Sequence, residues 1–338
     1  MKPWLTILLT IPLTLHADWP QWRGPGGQGH AEGKLPTTWS ETENIVWKAL
    51  IPGRGWSAPV IGGKQVWLTT AFETPADPKD AEDRLKSNTG SQPVNLLAKV
   101  ALHAVGLDLE SGEVIHDIPL LEVEKPQWVH NKNSYASPTP VIEDGRLYAH
   151  FGAYGTACLD MTNGKILWKN TDLHVMHENG PGSCPILWQS HLIVHMDGSD
   201  EQFVVAFDKD TGKIAWKTDR SGEMNENPQL KKAYGTPLVA SLGGQEQLLS
   251  NAADWLYSYD PATGEELWKM PYERLGFSNV ARPVLGHDMI YLATGFSKSE
   301  MFGIRADGKG KAEIVWTYKR NVPTTPSPIL VADQLYFV

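Results

Sequence analysis

The strongest constraint on this chain is a repeated spacing. Four times an Asp is followed four residues later by a Gly, and four residues after that by a bulky ring. The rings lie 52, 48 and 52 residues apart, and Trp316 follows after another 48. A repeat of about 40 to 50 residues made of short strands is typical of a β-propeller. The four copies are Asp108/Gly112/His116, Asp160/Gly164/Trp168, Asp208/Gly212/Trp216 and Asp260/Gly264/Trp268.

The repeated residues have a structural explanation. A tight turn needs a positive φ, which Gly supplies, and the Asp side chain can hydrogen-bond backbone groups inside that turn. The ring then lies at a fixed place on the following strand, where it can cover the neighbouring unit. Of the 14 Trp residues of the chain, Trp168, Trp216, Trp268 and Trp316 recur at this period. We therefore assign the motif to packing between units and not to chemistry.

Each unit reads as four strands. A segment containing Pro opens the first strand, as in residues 235–239, and a turn leads to a second, apolar strand. A third strand ends at the motif Asp, as in residues 203–208, and the Gly turn leads to the fourth, as in residues 213–217. Four antiparallel strands make one propeller blade. The sequence predicts an all-β fold, a propeller of four-stranded blades.

The N-terminus has the features of an export signal. Lys2 precedes an apolar run over residues 5–15, and residues 15–17 fit a small-residue cleavage site. We predict a signal peptide over residues 1–17, with a buried N-terminal strand as the alternative. No Cys lies near the predicted cut, so a lipid anchor is not expected, and no later segment has the length of a membrane span. The mature protein is expected in the periplasm or outside the cell.

The rest of the chain divides into a lead-in over residues 18–41 and a propeller over residues 42–338. A polar stretch at residues 73–99 reads as a surface insertion. Residues 42–50 resemble a lone fourth strand, and residues 324–338 resemble the first two strands of a further blade. We expect a propeller that is truncated at its C-terminus. The alternative is a six-bladed ring whose last blade is defective, with an unpaired edge.

Two units of the chain resemble the tryptophan-docking repeat of the PQQ-like β-propellers, at residues 206–216 and 258–268. That superfamily includes quinoprotein alcohol dehydrogenases and BamB, a lipoprotein of outer-membrane barrel assembly. Residues 18–25 are similar to the mature start of exported bacterial members. The resemblance implies seven or eight blades in the intact protein, of which five to six are represented here.

The same resemblance sets limits on cofactors. The dehydrogenases carry an adjacent Cys-Cys pair over pyrroloquinoline quinone (PQQ), and a Ca²⁺ site with an acidic catalytic residue. This chain has only Cys158 and Cys184, which are not neighbours, and it has no Cys that could be acylated. We therefore expect no cofactor, and PQQ with Ca²⁺ only if the chain is a dehydrogenase. Whether the two Cys form a disulfide stays open.

Polar residues gather in two loops that precede first strands. One loop carries His130 and Asn133, and the next carries His177 and Glu178. Both loops should lie on one rim of the propeller, where such side chains could bind a metal or a polar ligand. The competing interpretation is solvated loop residues or hydrogen bonds between blades, and we predict no metal site.

A second polar set lies close to strand ends, and includes Asp197, Asp254 and Arg282, with Arg220 and Arg320. Facing a central channel, these residues would form a funnel for an anionic or sugar-like ligand. The favoured alternative is a network of structural ion pairs. We find no Ser/His/Asp arrangement and no nucleophilic Cys, and the Gly-rich residues 24–29 do not have the pattern of a phosphate loop. No catalytic residue is predicted.

These observations favour an exported, non-enzymatic propeller that serves as a BamB-like binding or assembly scaffold. Its partners would be proteins of the cell envelope or a polar, sugar-like ligand. A net charge of −9 opposes binding to nucleic acid, which needs clustered Lys and Arg. The alternatives are a PQQ-dependent alcohol or sugar dehydrogenase, and a carbohydrate-binding propeller.

Overall fold

The computed structural model describes residues 18–272, 276–296, 298–308 and 310–338, and the predicted signal peptide lies outside the described residues. Short 3-10 turns occur at Pro25–Gly27, Gly152–Tyr154 and Pro228–Leu230. The other elements are, in chain order, β1 (Val60–Gly62), β2 (Gln65–Pro75), α1 (Pro78–Leu85), β3 (Val94–Asn95), β4 (Leu97–Asp108), β5 (Val114–Glu124), β6 (Val129–His130), β7 (Val141–Glu143), β8 (Arg146–His150), β9 (Thr156–Asp160), β10 (Ile166–Asn170), β11 (Ile186–Trp188), β12 (His191–Asp197), β13 (Gln202–Asp208), β14 (Ile214–Asp219), β15 (Leu238–Leu242), β16 (Gln245–Asn251), β17 (Trp255–Tyr259), β18 (Glu266–Pro271), β19 (Val284–Gly286), β20 (Met289–Thr294), β21 (Glu300–Ala306), β22 (Ala312–Tyr318), β23 (Ile329–Val331) and β24 (Gln334–Tyr336).

The strands form five antiparallel sheets of four strands each, which we call blades 1 to 5. They are β1-β2-β4-β5, β7 to β10, β11 to β14, β15 to β18 and β19 to β22. The pair β23-β24 follows blade 5, and β3 pairs with β6 beside blade 1. Within each blade, strands that follow one another in the blade are paired, as in a meander. The predicted all-β propeller of four-stranded blades is therefore confirmed.

The stretch read as an insertion is built onto blade 1. Its two ends prolong β2 and β4, and α1 lies between them. The Asp77 side chain caps α1 by accepting from the Lys79 amide. Arg84 ties the helix to the blade by donating to the Leu97 carbonyl at 2.8 Å. Residues 42–50, read as a lone fourth strand, form no strand in the described structure, and Glu43 makes only an isolated bridge with Ser40.

The predicted contact between blades is made by the repeated Trp. Trp168 of blade 2 donates its indole N–H to the Lys209 carbonyl of blade 3 at 2.9 Å. Its ring lies against Gly212, where a Cβ would overlap the indole. The same arrangement recurs for Trp47 on Leu109 O (3.0 Å) and Gly112, and for Trp216 on Pro261 O (3.2 Å) and Gly264. In each copy the acceptor is the residue after the motif Asp of the next blade.

Two blade contacts depart from this arrangement. His116 stacks on Trp67 of its own blade, with ring centroids 5.2 Å apart, and Gly164 of blade 2 meets Ile118 instead of an indole. Trp268 donates to the Gln247 side chain at 2.8 Å. In blade 5 the corresponding Asp307 is followed four residues later by Lys311 and not by Gly, so the repeat provides no glycine there for the indole to pack against. Gln247 bridges the gap by donating in turn to Gly308 O at 3.3 Å.

A belt of hydrogen bonds runs around the inner ends of the blades. Each blade contributes one residue to it, the residue directly before the Pro that opens the first strand, such as Thr236 before Pro237. The amide of one such residue donates to the side chain of its counterpart in the next blade, which satisfies a backbone group at the crowded axis. The bonds are Ala58 N to Thr139 Oγ1 (2.9 Å), Thr139 N to Cys184 Sγ (3.2 Å), Cys184 N to Thr236 Oγ1 (3.0 Å) and Arg282 N to Ser327 Oγ (2.9 Å). We call these six residues the axial belt.

The N-terminal residues 18–29 cross the inner strands of the propeller. They contact blades 1, 2 and 5 and the loop before β23, which are far apart in the sequence. The contacts are Trp19 with Ile61, Ile142 N to Pro20 O (2.8 Å), Leu285 N to Gln28 Oε1 (3.0 Å) and Arg23 Nη2 to Pro328 O (2.6 Å). We call residues 18–29 the N-terminal plug, because they occupy the space between these strands.

The glycine under each indole gives a first prediction. Gly212 has φ +70°, and a Cβ there would overlap the Trp168 ring, whereas Gly145 has φ +72° with nothing within 4 Å. Both Gly→Ala changes should cost about 1 kcal/mol for the positive φ. Gly212→Ala should cost about 1–3 kcal/mol more, because the indole must move. Urea unfolding of the two variants measures the difference, and equal losses would refute the packing role.

The axial belt gives a second prediction. Thr236→Val keeps the buried volume but removes the acceptor of the Cys184 amide, which should lower the free energy of unfolding by about 1–3 kcal/mol. Thr236→Ser keeps the hydroxyl and should cost less than the Val variant. Thermal and urea unfolding compare the two. A Ser variant that is less stable than the Val variant would show that the methyl group matters more than the hydrogen bond.

The motif carboxylates give a third prediction, on acid stability. Hydrogen bonds from Thr211 lower the pKa of Asp208 below its ordinary value of 3.8, and the pKa values of Asp108 and Asp160 are lowered in the same way. The unfolded chain therefore binds these protons more readily. The stabilisation is complete above the unfolded pKa, and is lost as the pH falls through the folded pKa. Asp208→Asn should unfold with a weaker pH dependence below pH 4 than the parent chain; an unchanged dependence would count against it.

Candidate functional site

A cavity of about 490 Å³ lies where loops from successive blades converge. We call it the axial cavity. Most of its lining residues come from the loops that lead into first strands. The exceptions are His130, which ends β6, and Phe296, which lies in the loop between β20 and β21. The lining residues are His130, Lys132, Asn133, Asn179, Pro181, Gly182, Tyr234, Ser278, Val280, Phe296 and Thr325. A concave site of this size suits a small ligand or one segment of a partner.

The axial belt separates the axial cavity from the N-terminal plug. In the lining loops, the cavity residues precede the belt residue of the blade that they lead into, as Tyr234 precedes Thr236. The plug contacts residues at or after the belt, such as Ile142 and Leu285. The plug therefore lies on the strand side of the belt, and the cavity opens on the loop side.

A chain of hydrogen bonds fixes one wall of the axial cavity. Asn133 donates to the Asn179 carbonyl at 2.8 Å, and the Asn179 amide group donates to the Tyr234 hydroxyl at 3.1 Å. The Tyr234 hydroxyl donates in turn to the carbonyl of His177 at 2.8 Å. Burial raises the pKa of Tyr234, so the hydroxyl stays protonated. Because these side chains join three successive loops, the wall is held in one shape before any ligand binds.

Two polar groups of this wall differ in their accessibility to a ligand. The Asn179 Oδ1 atom is buried and has no hydrogen-bond partner among the described residues. Lys132 is exposed, and it lowers the pKa of His130 together with the larger effect of partial burial. Below its ordinary value of 6.5, that pKa leaves the imidazole mainly neutral at neutral pH. Among the described residues no carboxylate lines the cavity. The site therefore offers a cation and neutral hydrogen-bonding groups.

Aromatic side chains lie exposed at the margin of the axial cavity. Phe296 lines it and is 58% exposed, and Trp56 is 57% exposed. The Trp56 indole N–H donates to the Lys132 carbonyl at 3.0 Å, which places this ring beside the cavity. Large aromatic rings left in water next to polar groups are typical of binding surfaces, because burying them against a partner releases much free energy.

The two loops predicted to carry ligand residues differ in where their side chains lie. His130 and Asn133 line the axial cavity. His177 and Glu178 are buried in contacts of the protein with itself: His177 Nε2 accepts from the Ala153 amide at 2.8 Å, and Glu178 accepts from the Ser199 hydroxyl at 3.0 Å. Burial lowers the pKa of His177 to about 4, so its ring is a neutral acceptor.

The residues predicted to form a polar funnel are not gathered together. Arg220 donates to both carboxylate oxygens of Asp197, at 2.9 and 3.0 Å, in a buried ion pair. Asp254 lies in the turn between β16 and β17 and borders a separate depression, and burial raises its pKa. Arg282 is buried in the axial belt, and Arg320 is exposed.

The residues present do not fit the quinone and Ca²⁺ arrangement that the resemblance implies. Both thiols are free: Cys158 lies in β9 opposite Trp168, and Cys184 lies in the axial belt. Neither lines the axial cavity, where an adjacent pair would be needed. Among the described residues no group of three or more His, Cys, Asp or Glu side chains could hold a metal ion.

Sequence reasoning missed Tyr234, Phe296 and most of the other cavity residues. A signal for some of them was present. Gly182, Tyr234, Val280 and Thr325 each stand two positions before the belt residue of their blade, so counting back from the blade-opening Pro finds them. Phe296 belongs to a different loop, and no repeated position points to it.

In the described part of the chain no helix is long and apolar enough to cross a membrane.

Comparison with known proteins agrees with the architecture. The quinoprotein ethanol dehydrogenase of Pseudomonas putida is 30% identical over 141 residues, covering 39% of this chain and 22% of the relative. The quinohemoprotein alcohol dehydrogenase ADH-IIG of the same species is 25% identical over 167 residues, covering 44% and 22%. The matched regions thus span about a fifth of the length of these relatives.

The solved quinohemoprotein alcohol dehydrogenase from Comamonas testosteroni superposes with a TM-score of 0.50 at 11% identity, and the match covers 94% of this chain and 52% of that structure. This likeness concerns the fold. The family model described as outer membrane protein assembly factor BamB matches residues 31–218 and 200–338. With its docked indoles and four-stranded blades, the chain belongs to this BamB family of PQQ-like β-propellers.

Proposed function

We propose that this protein is an exported, non-enzymatic binding or assembly scaffold, and that the axial cavity with its aromatic margin receives a protein partner of the cell envelope. The observation that carries the proposal is the axial cavity of about 490 Å³, formed by loops from successive blades. Loops held by a rigid scaffold are where propellers and other repeat folds place their binding residues.

The chemistry of the cavity favours a protein partner. Phe296 and Trp56 supply exposed aromatic surface. A peptide segment suits this surface, since its apolar side chains can cover the rings. The exposed Lys132 favours a segment with an acidic residue.

The second candidate is a PQQ-dependent oxidoreductase. It is favoured by the 30% identity to a protein named quinoprotein ethanol dehydrogenase. Bound PQQ would supply the electron acceptor for alcohol oxidation. The axial cavity is the place where such a group could enter, but the lining residues that the structure describes include neither a carboxylate nor a Cys. We therefore rank this candidate second.

Site-specific photo-crosslinking tests the binding function. A crosslinking amino acid at Phe296 or Trp56 should trap the same envelope protein, and one at Ile115 should not, because Ile115 is 44% exposed on an outer strand away from the cavity. Phe296→Ala should weaken binding of the identified partner about tenfold or more, the loss expected of a central aromatic contact. Ile115→Ala is the matched control and should leave affinity unchanged.

Two outcomes would contradict this function. Crosslinking to the same proteins at all three positions would mean that the cavity has no special role. Dye reduction by the purified protein with ethanol, dependent on added PQQ and Ca²⁺, would establish the second candidate instead. Calorimetry with PQQ separates the two, since a scaffold should show no tight quinone binding.

A further inference from the structure

Two positions of the axial belt have no side-chain acceptor, Ala58 and Arg282, and only Arg282 carries a charge. The belt residues whose side chains accept a hydrogen bond are Thr139, Cys184, Thr236 and Ser327. Blade 5 has Arg282 at the equivalent position. A guanidinium group has five N–H donors and no acceptor, so it cannot take part in the belt in the same way. A charged residue at one inner position of a repeat calls for a local explanation.

The Arg282 side chain turns toward the N-terminal plug, and its hydrogen bonding there is incomplete. Arg282 is only 2% exposed. The Nη1 atom donates to the carbonyls of Trp22 and Gly27 at 3.3 and 3.4 Å, both long for hydrogen bonds. The Nε atom is buried and has no hydrogen-bond partner in the described part of the chain. The Nε and Nη2 edge, the edge that usually grips carboxylates, is therefore left without a protein acceptor there.

A second guanidinium lies in the same place. Arg23 of the plug and Arg282 both lie over the Trp22 ring, at 5.9 and 6.0 Å from its centroid. Arg23 donates to the carbonyls of Gln28, Ser327 and Pro328, but its Nε atom is also buried without a partner among the residues described.

No carboxylate balances these two charges within the described ranges, where the ion pairs all involve other residues. Burial, with a smaller contribution from the charge of Arg23, lowers the pKa of Arg282 to about 10. Buried charges are costly unless they are paired. The contrast with Arg220 is direct, since that buried guanidinium has Asp197.

We propose that Arg282 and Arg23 form an oxyanion-binding site at the propeller axis, which takes one carboxylate or phosphate group on the free edge of Arg282. The planar guanidinium matches such a group with two parallel hydrogen bonds. The bound anion would neutralise both charges and link the N-terminal plug to blade 5. This inference goes beyond the proposed function, because the site needs no protein partner and lies on the strand side of the axial belt, away from the axial cavity.

The competing explanation is purely structural: the two arginines fasten the plug through carbonyl acceptors. The two explanations differ in one respect. Phosphate and acetate raise the stability of any folded protein to some extent because they are excluded from its surface, and this general effect should be equal in the parent and in its variants. Only the oxyanion site adds an anion-dependent rise in stability that requires the Arg282 guanidinium, because a ligand that binds the folded state alone raises its stability.

The experiment compares chloride, acetate and inorganic phosphate at matched ionic strength and pH, using the full chain. Phosphate or acetate should raise the Tm of the parent protein above its value in chloride, and calorimetry should give a saturable affinity. Arg282→Thr should keep only the general part of the Tm rise and bind the anion at least about tenfold more weakly. Arg305→Thr removes the same charge from an exposed position of β21 and should behave like the parent.

The Thr variant supplies the hydroxyl that other belt positions carry, so it should fold. Arg282→Lys provides a second measurement, because it keeps the charge without the planar fork and should also bind the anion at least about tenfold more weakly. A response to phosphate alone identifies a phosphate site, and a response to acetate identifies a carboxylate site. The proposal is overturned if the parent shows no anion-specific rise, or if the Arg282 variants respond like the parent.

Discussion

The structure depends on the contact between one blade's indole and the next blade's glycine turn. Trp168 shows its parts: the ring covers Gly212, and the indole N–H reaches the Lys209 carbonyl. The contact joins two strands about 40 residues apart, and it works only if Asp208 holds the turn in shape. A blade has too little apolar surface to be stable alone, so this contact converts separate meanders into one fold.

The order of the blades around the axis creates the candidate site. Once the outer contacts fix each blade, the loops that enter the first strands must converge, and the residues two positions before the belt meet at the axial cavity. The belt then divides the axis into a loop side and a strand side. Thr236 belongs to the belt, and Tyr234, two residues earlier, lines the cavity. The repeat that secures packing between blades thus also brings loop side chains together at the axial cavity, where we propose that a partner binds.

Local spacing explains which features could be predicted. The turn from Asp208 to Gly212 and the strand that follows are fixed by residues close together in the sequence, so the blade was readable. His130 and Asn133 were found because a polar loop before a blade-opening Pro is visible in one repeat. Phe296 and the Gln247 bridge were not found, since both depend on which neighbour a blade faces, and that information is spread over more than one unit.

Departures from the repeat are more informative than the repeat itself. Gln247 compensates for a turn that lacks the motif Gly, so its departure has a packing cause within the protein. Arg282 has such a cause only in part: its Nη1 atom donates to the carbonyls of Trp22 and Gly27 over long distances, and its Nε atom is left without a partner in the described chain. It places a buried cation in the belt with no carboxylate of the described chain beside it, unlike Arg220, which has Asp197. A repeat protein can keep an uncompensated charge at its axis only if something outside the repeat stabilises it. An anion shared with Arg23 meets that requirement, and it would make the N-terminal plug part of the binding site.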